Sequence, residues 1–135
     1  MSTSVNQSLS HVSAISLFVE DLQTAKAFYE AIFGVDVVFE DATSVCVKFD
    51  QLFVNLLLNS SAELQVEPAP VAGPESGSRF QLSIWIDDVD AACAALEELG
   101  VKLLTGPVDR EWGMRVATFT DPDGHNWELA QQLAG

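Results

Sequence analysis

Apolar positions along the chain follow two rhythms, and the same succession of rhythms occurs twice. Ile15-Ser-Leu-Phe-Val-Glu-Asp-Leu22 alternates and then turns acidic, and Leu82-Ser-Ile-Trp-Ile-Asp-Asp-Val89 does the same. Each predicts a half-buried strand running into a helix, because strand side chains change face at every residue. Behind the first, Ala25, Phe28, Tyr29, Ile32 and Phe33 recur at helical spacing until Gly34. Behind the second, Val89, Ala92, Leu96 and Leu99 do so until Gly100. Asp21 in the first copy, and Asp88 or Asp90 in the second, are natural N-caps whose carboxylates accept from the unpaired N–H groups of a first turn. The two glycines suit the left-handed residue beyond a helix. Three strand-like runs follow each helix: Val35–Glu40, Val45–Phe49 and Phe53–Leu58, then Val101–Leu104, Arg115–Thr120 and Trp127–Gln131. The order is βαβββ, twice, with a repeat of about 67 residues, which is too long for a solenoid unit and fits a duplicated half-domain. The expectation is a single domain over 1–135, with module 1 at about 13–58 and module 2 at about 80–132. The linker 59–79, with Pro68, Pro70 and Pro74 among Gly and Ser, reads as a connecting loop.

The alternation also sorts the faces. Ile15, Leu17 and Val19, and likewise Leu82, Ile84 and Ile86, form aliphatic faces that suit packing on the helix of their own module. The opposite faces carry Ala14, Ser16 and Phe18, and Gln81, Ser83 and Trp85. This small, polar and aromatic mixture is that of a binding surface, whereas a solvated sheet more often carries Lys, Glu or Thr. Phe18 and Trp85 are thus either pocket walls or ordinary core. In the closing strands Phe53, Asn55 and Leu57 share a side, as do Asn126, Glu128 and Ala130. Glu128 lies among Trp127, Leu129 and Ala130, where an ionised carboxylate needs a partner. A metal ion or a cationic ligand would serve, and so would Arg115 or Arg110. Trp112, beside Gly113 in a loop, is either a lid over the pocket or surface packing.

Composition narrows the classes. In 135 residues, 48% hydrophobic and 9% aromatic, there is enough apolar material for a folded core. Cys46 and Cys93 stand in separate apolar segments without a neighbouring His or Cys, which predicts reduced, buried thiols. Twenty acidic residues against 6 basic ones give a net charge of −14. That surface repels phosphate backbones and anionic lipid, so nucleic acid and membrane are excluded as partners. It attracts cationic ligands, or it serves solubility alone. The stretch from Met1 to Val12 has neither Lys or Arg nor an apolar run, so no signal peptide or anchor is expected there. No later stretch is long enough to span a bilayer, and a cytoplasmic location follows as the expectation. No Ser-His-Asp set, paired catalytic carboxylates or phosphate-binding Gly loop is present.

Two segments carry a family resemblance. One is Phe18-Val-Glu-Asp-Leu followed by Ala25-Lys-Ala-Phe-Tyr and Gly34. The other is Trp112-Gly-Met-Arg followed by Phe119-Thr-Asp-Pro-Asp-Gly-His-Asn-Trp-Glu-Leu-Ala130. Over roughly residues 13 to 132 the chain resembles the glyoxalase/bleomycin-resistance/extradiol-dioxygenase (vicinal oxygen chelate) superfamily. The resemblance implies an α+β fold, two βαβββ modules forming a curved eight-stranded mixed sheet around a shared cleft, and a homodimer. Metal-dependent members place one ligand on the first and last strand of each module. Carried over by position, the first-strand ligands fall on Ala14 and Gln81, seven residues before Asp21 and Asp88. The last-strand ligands fall on Asn55 and Glu128, each just before a Leu.

The family pattern there is His, Gln and Glu in combination. Alanine donates nothing, and a carboxamide oxygen is a weak ligand for Zn²⁺, Ni²⁺ or Fe²⁺. His11 falls on the other side of the strand's alternation, and His125 belongs to a turn. The expectation is therefore no metal and no cofactor. The resemblance then implies a metal-independent small-molecule binding protein, as in bleomycin-resistance members, sequestering an aromatic or cationic compound. Its contact residues would be Phe18, Asn55, Gln81, Trp85, Trp112, Arg115 and Glu128. The alternative is a metal-dependent lyase or isomerase of glyoxalase I type, with Glu128 as general base or metal ligand. A third reading is a scaffold whose acidic surface recognises a basic protein.

Overall fold

Asp21 accepts a hydrogen bond from Thr24 N at 2.9 Å, and Asp88 accepts one from Ala91 N at 3.0 Å. The two acidic turns thus cap the two main helices of the computed structural model, which describes residues 9–134. Two units form, Met1–Val71 and Ala72–Gly135. The first contains β1 (Ala14–Val19), α1 (Leu22–Phe33), β2 (Asp36–Glu40), β3 (Ser44–Phe49), β4 (Leu52–Leu58) and α2 (Asn59–Val66). The second contains a 3-10 turn at Pro74–Ser76, then β5 (Leu82–Trp85), α3 (Val89–Glu98), β6 (Thr105–Asp109), β7 (Met114–Thr120) and β8 (Asn126–Gln132). The eight strands make two four-stranded mixed sheets, ordered β1-β4-β3-β2 and β5-β8-β7-β6. In each, the first strand pairs parallel with the last and the other pairings are antiparallel.

Each sheet buries its aliphatic face. Leu17, Val19, Val45, Val47, Val54 and Leu56 are enclosed in the first unit, together with Leu22, Ala25 and Tyr29 of α1. Tyr29 stacks on Phe33 with ring centroids 5.3 Å apart, and Phe33 meets Phe49 of β3 edge to face. In the second unit Ala117, Phe119, Trp127 and Leu129 are enclosed, together with Val89, Cys93 and Leu96 of α3. Cys46 is half-buried and Cys93 buried; neither is in a disulfide, and loss of hydration raises both thiol pKa values.

Helix ends follow the sequence expectation. Gly34 (φ 64°) and Gly100 (φ 88°) adopt the left-handed conformation that Cβ-bearing residues avoid. Gly34 N bonds back to Glu30 O at 3.1 Å. At the end of α3, Gly100 N bonds to Glu97 O and Val101 N to Leu96 O, both at 3.0 Å, a Schellman closure.

Two expectations need correction. Val101–Leu104 is not a strand, because Val101 N is spent on closing α3 and the ladder begins only where Leu104 N reaches Thr118 O at 2.8 Å. The strand is the next run, Thr105–Asp109, with Gly106 and Pro107 inside it. Pro107 is tolerated because β6 is the sheet edge and its register shifts between Thr105 and Val108. The segment 59–79 is also not a plain loop. Its first eight residues, free of Gly and Pro, form α2, which packs on β4 and β1 and encloses Ala62. Only one enclosed side chain marks that helix, so it leaves almost no apolar periodicity to read. Among the described residues no helix is long and apolar enough to cross a membrane.

Candidate functional site

The face of each sheet opposite its enclosed aliphatic residues is the candidate surface. In the second unit the register sets Ser83 beside Glu128, Glu128 beside Thr118, and Thr118 beside Thr105. A polar row therefore crosses all four strands on one face. Ser83 Oγ donates to Glu128 Oε1 at 2.8 Å, and the two threonine hydroxyls share a hydrogen bond of 2.6 Å. Trp85 stands on the same face two residues beyond Ser83, paired with Ala130, and is 73% exposed. Half-buried Glu128 is the carboxylate of this row, and its hydroxyl neighbours offer both donors and acceptors.

The corresponding row of the first unit is Ser16, Asn55, Cys46 and Phe39, again one residue per strand. It contains a carboxamide and a thiol but no charge. Phe18 is half-buried beside Leu57, and Lys48 lies over the Phe53 ring, 4.8 Å from its centroid.

Of the partners open to Glu128, a metal ion, a cationic ligand or an arginine, the two candidate arginines, Arg110 and Arg115, lie elsewhere. Arg115 sits beside Gln131, whose side chain accepts from Val89 N of α3, so it belongs to the helix side of the sheet. There Arg115 pairs with Asp90 at 2.9 Å and Asp109 at 2.8 Å, and these two carboxylates raise its pKa further above the usual arginine range. Arg110 lies over Trp112, 5.9 Å from the ring centroid. Trp112 itself is exposed in the β6–β7 turn, and Gln81 is exposed just before β5. Of the sequence candidates, the second unit brings Glu128 and Trp85 onto one face, and the first does the same for Phe18 and Asn55. Arg115 is separated from them. Thr118 and Thr105 were missed, because only strand pairing reveals that they extend the Ser83–Glu128 contact.

The four positions onto which the resemblance would place metal ligands carry a poor donor set for a metal ion. Ala14 supplies no donor atom and pairs with Phe53, while Asn55 pairs with Ser16, one pleat away. Gln81 offers a carboxamide, and Glu128 is the single carboxylate of the set. His125 donates or accepts through Nδ1 with buried Asp121 at 2.8 Å, in the turn before β8. Among the described residues no group of three His, Cys, Asp or Glu is placed to hold a metal.

Comparison with known proteins agrees with this architecture. A family model described as Glyoxalase/Bleomycin resistance protein/Dioxygenase superfamily matches residues 8–129. The uncharacterized protein YraH of Bacillus subtilis is 32% identical over 123 residues, covering 88% of this chain and 96% of its own. The metallothiol transferase FosB of Lysinibacillus sphaericus is 29% identical, covering 91% of this chain and 81% of its own. The crystal structure of a glyoxalase/bleomycin resistance protein/dioxygenase from Nocardioides superposes with a TM-score of 0.82 at 20% identity, covering 97% of this chain and 92% of that one.

Proposed function

Because the chain belongs to the glyoxalase/bleomycin resistance protein/dioxygenase superfamily, we propose that it is a metal-independent small-molecule binding protein, sequestering an aromatic or cationic compound. The observation that carries the reading is the ligand set itself: Ala14 without a donor atom, two carboxamides, and one carboxylate already held by Ser83. Such a set is a poor cage for a divalent transition metal and a good source of hydrogen bonds and negative charge for an organic ligand. In the second unit Glu128 and Ser83 supply the polar contacts, Trp85 and Trp112 the aromatic surfaces, and Gln81 a carboxamide at the margin. In the first unit Phe18 and Asn55 play the matching parts. Arg115 stays in its ion pairs. Homodimer formation and a cytoplasmic location belong to the same reading.

Elemental analysis tests it. Protein incubated with Ni²⁺, Zn²⁺, Mn²⁺ or Fe²⁺ and then dialysed should retain far less than one ion per chain. A thermal-shift screen of aromatic amines should yield a stabilising compound whose effect shrinks in Glu128→Gln. Near-stoichiometric metal that disappears in Glu128→Ala would overturn the proposal. It would favour metal-dependent chemistry instead, the reading toward which the FosB relative's name points.

A further inference from the structure

A groove of about 610 Å³ opens in the second unit where the parallel strands β5 and β8 end, walled by Trp85, Asp87, Gln132 and Leu133. Its volume is in the range of small-molecule sites. It lies beyond the Ser83–Glu128 row. The β5–β8 ladder continues past Trp85 through Ile86 N to Ala130 O at 2.8 Å, which fixes Ile86 and with it the start of the Asp87 turn. On the other side Leu133 N bonds Gly113 O at 2.9 Å, so the end of β8 is held as well.

Three observations say what the groove takes. First, Trp85 exposes most of its indole, a large apolar surface, on the wall of a concave site. The other exposed tryptophan, Trp112, has Arg110 over its ring, whereas among the described residues no cation lies over Trp85. Second, the adjacent charge is negative. Asp87 is exposed on the groove wall and has no ion pair among the described residues. The second unit holds eleven acidic residues against four basic ones, and Arg115 is already committed to Asp90 and Asp109. Third, the start of α3 beside the groove offers little to an anion, because Val89 N donates to Gln131 and Ala91 N to Asp88.

We propose that this groove is a subsite for a planar organic cation, its ring stacked on the Trp85 indole and its positive charge set against Asp87, with the Gln132 carboxamide at its edge. The inference rests on the small-molecule reading above and adds a place and two residues, Asp87 and Gln132, to it. An indole face and a nearby carboxylate favour the same charge, so the two contributions reinforce each other.

The test follows the indole N–H resonances of ¹⁵N-labelled protein titrated with N-methylquinolinium, and in parallel with quinoline, which is uncharged at neutral pH. The Trp85 resonance should move saturably with the cation. Affinity should fall about fivefold in Asp87→Asn and about tenfold or more in Trp85→Leu, and quinoline should bind more weakly than its methylated form. Both positions are exposed, so the variants should keep the wild-type circular dichroism. A Trp85 resonance that does not move, a shift linear to the solubility limit, or equal affinity for quinoline overturns the groove. Binding that survives both groove variants but is lost in Glu128→Gln also overturns it and leaves the small-molecule reading standing. A cation bound nowhere overturns the groove, and the thermal-shift screen then decides the wider reading on its own.

Discussion

In the first unit the row across the open face runs Ser16, Asn55, Cys46, Phe39; in the second, the equivalent strands present Ser83, Glu128, Thr118, Thr105. The strand order, the parallel pairing of first and last strands, and the Asp cap at the start of the helix are the same in both. The difference lies in what the shared backbone displays. One row is uncharged and includes a large aromatic, while the other joins a carboxylate to hydroxyls. The lesson is that the features that build the unit, alternation and caps, occupy the enclosed face and the helix ends. The open face is therefore free to carry unrelated chemistry in each copy.

The edge strands differ too. Both have a register shift, between Val37 and Phe39 in β2 and between Thr105 and Val108 in β6. Only the second uses a residue at positive φ: Gly106, at 83°, where an added Cβ would collide with the Val116 carbonyl oxygen and crowd Ala117.

Four tests break or sharpen this comparison. The largest effect is expected at Phe119, fully enclosed in the second unit's core. Phe119→Ala should cost about 3–5 kcal/mol in urea unfolding, and a loss under about 1 kcal/mol would mean that this core is not packed as described. Next is Gly106→Ala, expected to cost roughly 2–4 kcal/mol from the left-handed backbone and the collision together. Val38→Ala at the matching edge of the first unit, half exposed, should stay within about 0.5 kcal/mol. Equal costs would erase the distinction between the two edges.

Smaller again is the row itself. Ser83→Ala removes the donor to Glu128 and should cost up to about 1 kcal/mol, whereas Ser16→Ala, opposite a carboxamide, should change unfolding by less than about 0.5 kcal/mol. A double-mutant cycle of Ser83→Ala with Glu128→Gln showing no coupling would remove the contact from the account.

The smallest effect is one of pH, in the first unit's β2–β3 turn. Backbone N–H groups of Thr43 and Ser44, with their hydroxyls, converge on Asp41 Oδ1 at 2.8–3.3 Å. The bond from Thr43 N leads the others in holding this carboxyl below the usual aspartate range. A folded pKa below the unfolded one contributes stability that is present above the unfolded value. That stability is lost as pH falls through the folded value. Acid unfolding of Asp41→Asn should therefore be flatter than wild type from about pH 4 downward; identical pH profiles would show that the turn carboxylate has no such linkage.

Much of the architecture was legible because it rests on local signals. Asp21 and Asp88 sit beside the N–H groups they cap, Gly34 and Gly100 stand one residue past their helices, and Ile15, Leu17, Val19 and Ser83, Trp85 sort themselves by alternation. What escaped reading had no such signature. The second helix, 59–66, encloses a single alanine, so no periodicity announces it. Strand β6 contains Gly and Pro, both of which argue against a strand unless the register shift and the edge position are known. Thr118 and Thr105 are unremarkable in the chain and matter only through their neighbours.

By itself the sequence determined the doubled βαβββ order, the burial of one face of each sheet, the reduced cysteines, the acidic surface and the lack of a donor at Ala14. These follow from side-chain type and from spacings of two to four residues. Only the tertiary structure decided that Glu128 takes its hydrogen bond from Ser83 and not from an arginine, that Arg115 belongs to Asp90 and Asp109, and that Trp85 flanks a groove with Asp87. Those outcomes depend on the register between strands far apart in the chain. Moving a strand by one residue exchanges its faces, and no local preference records that choice.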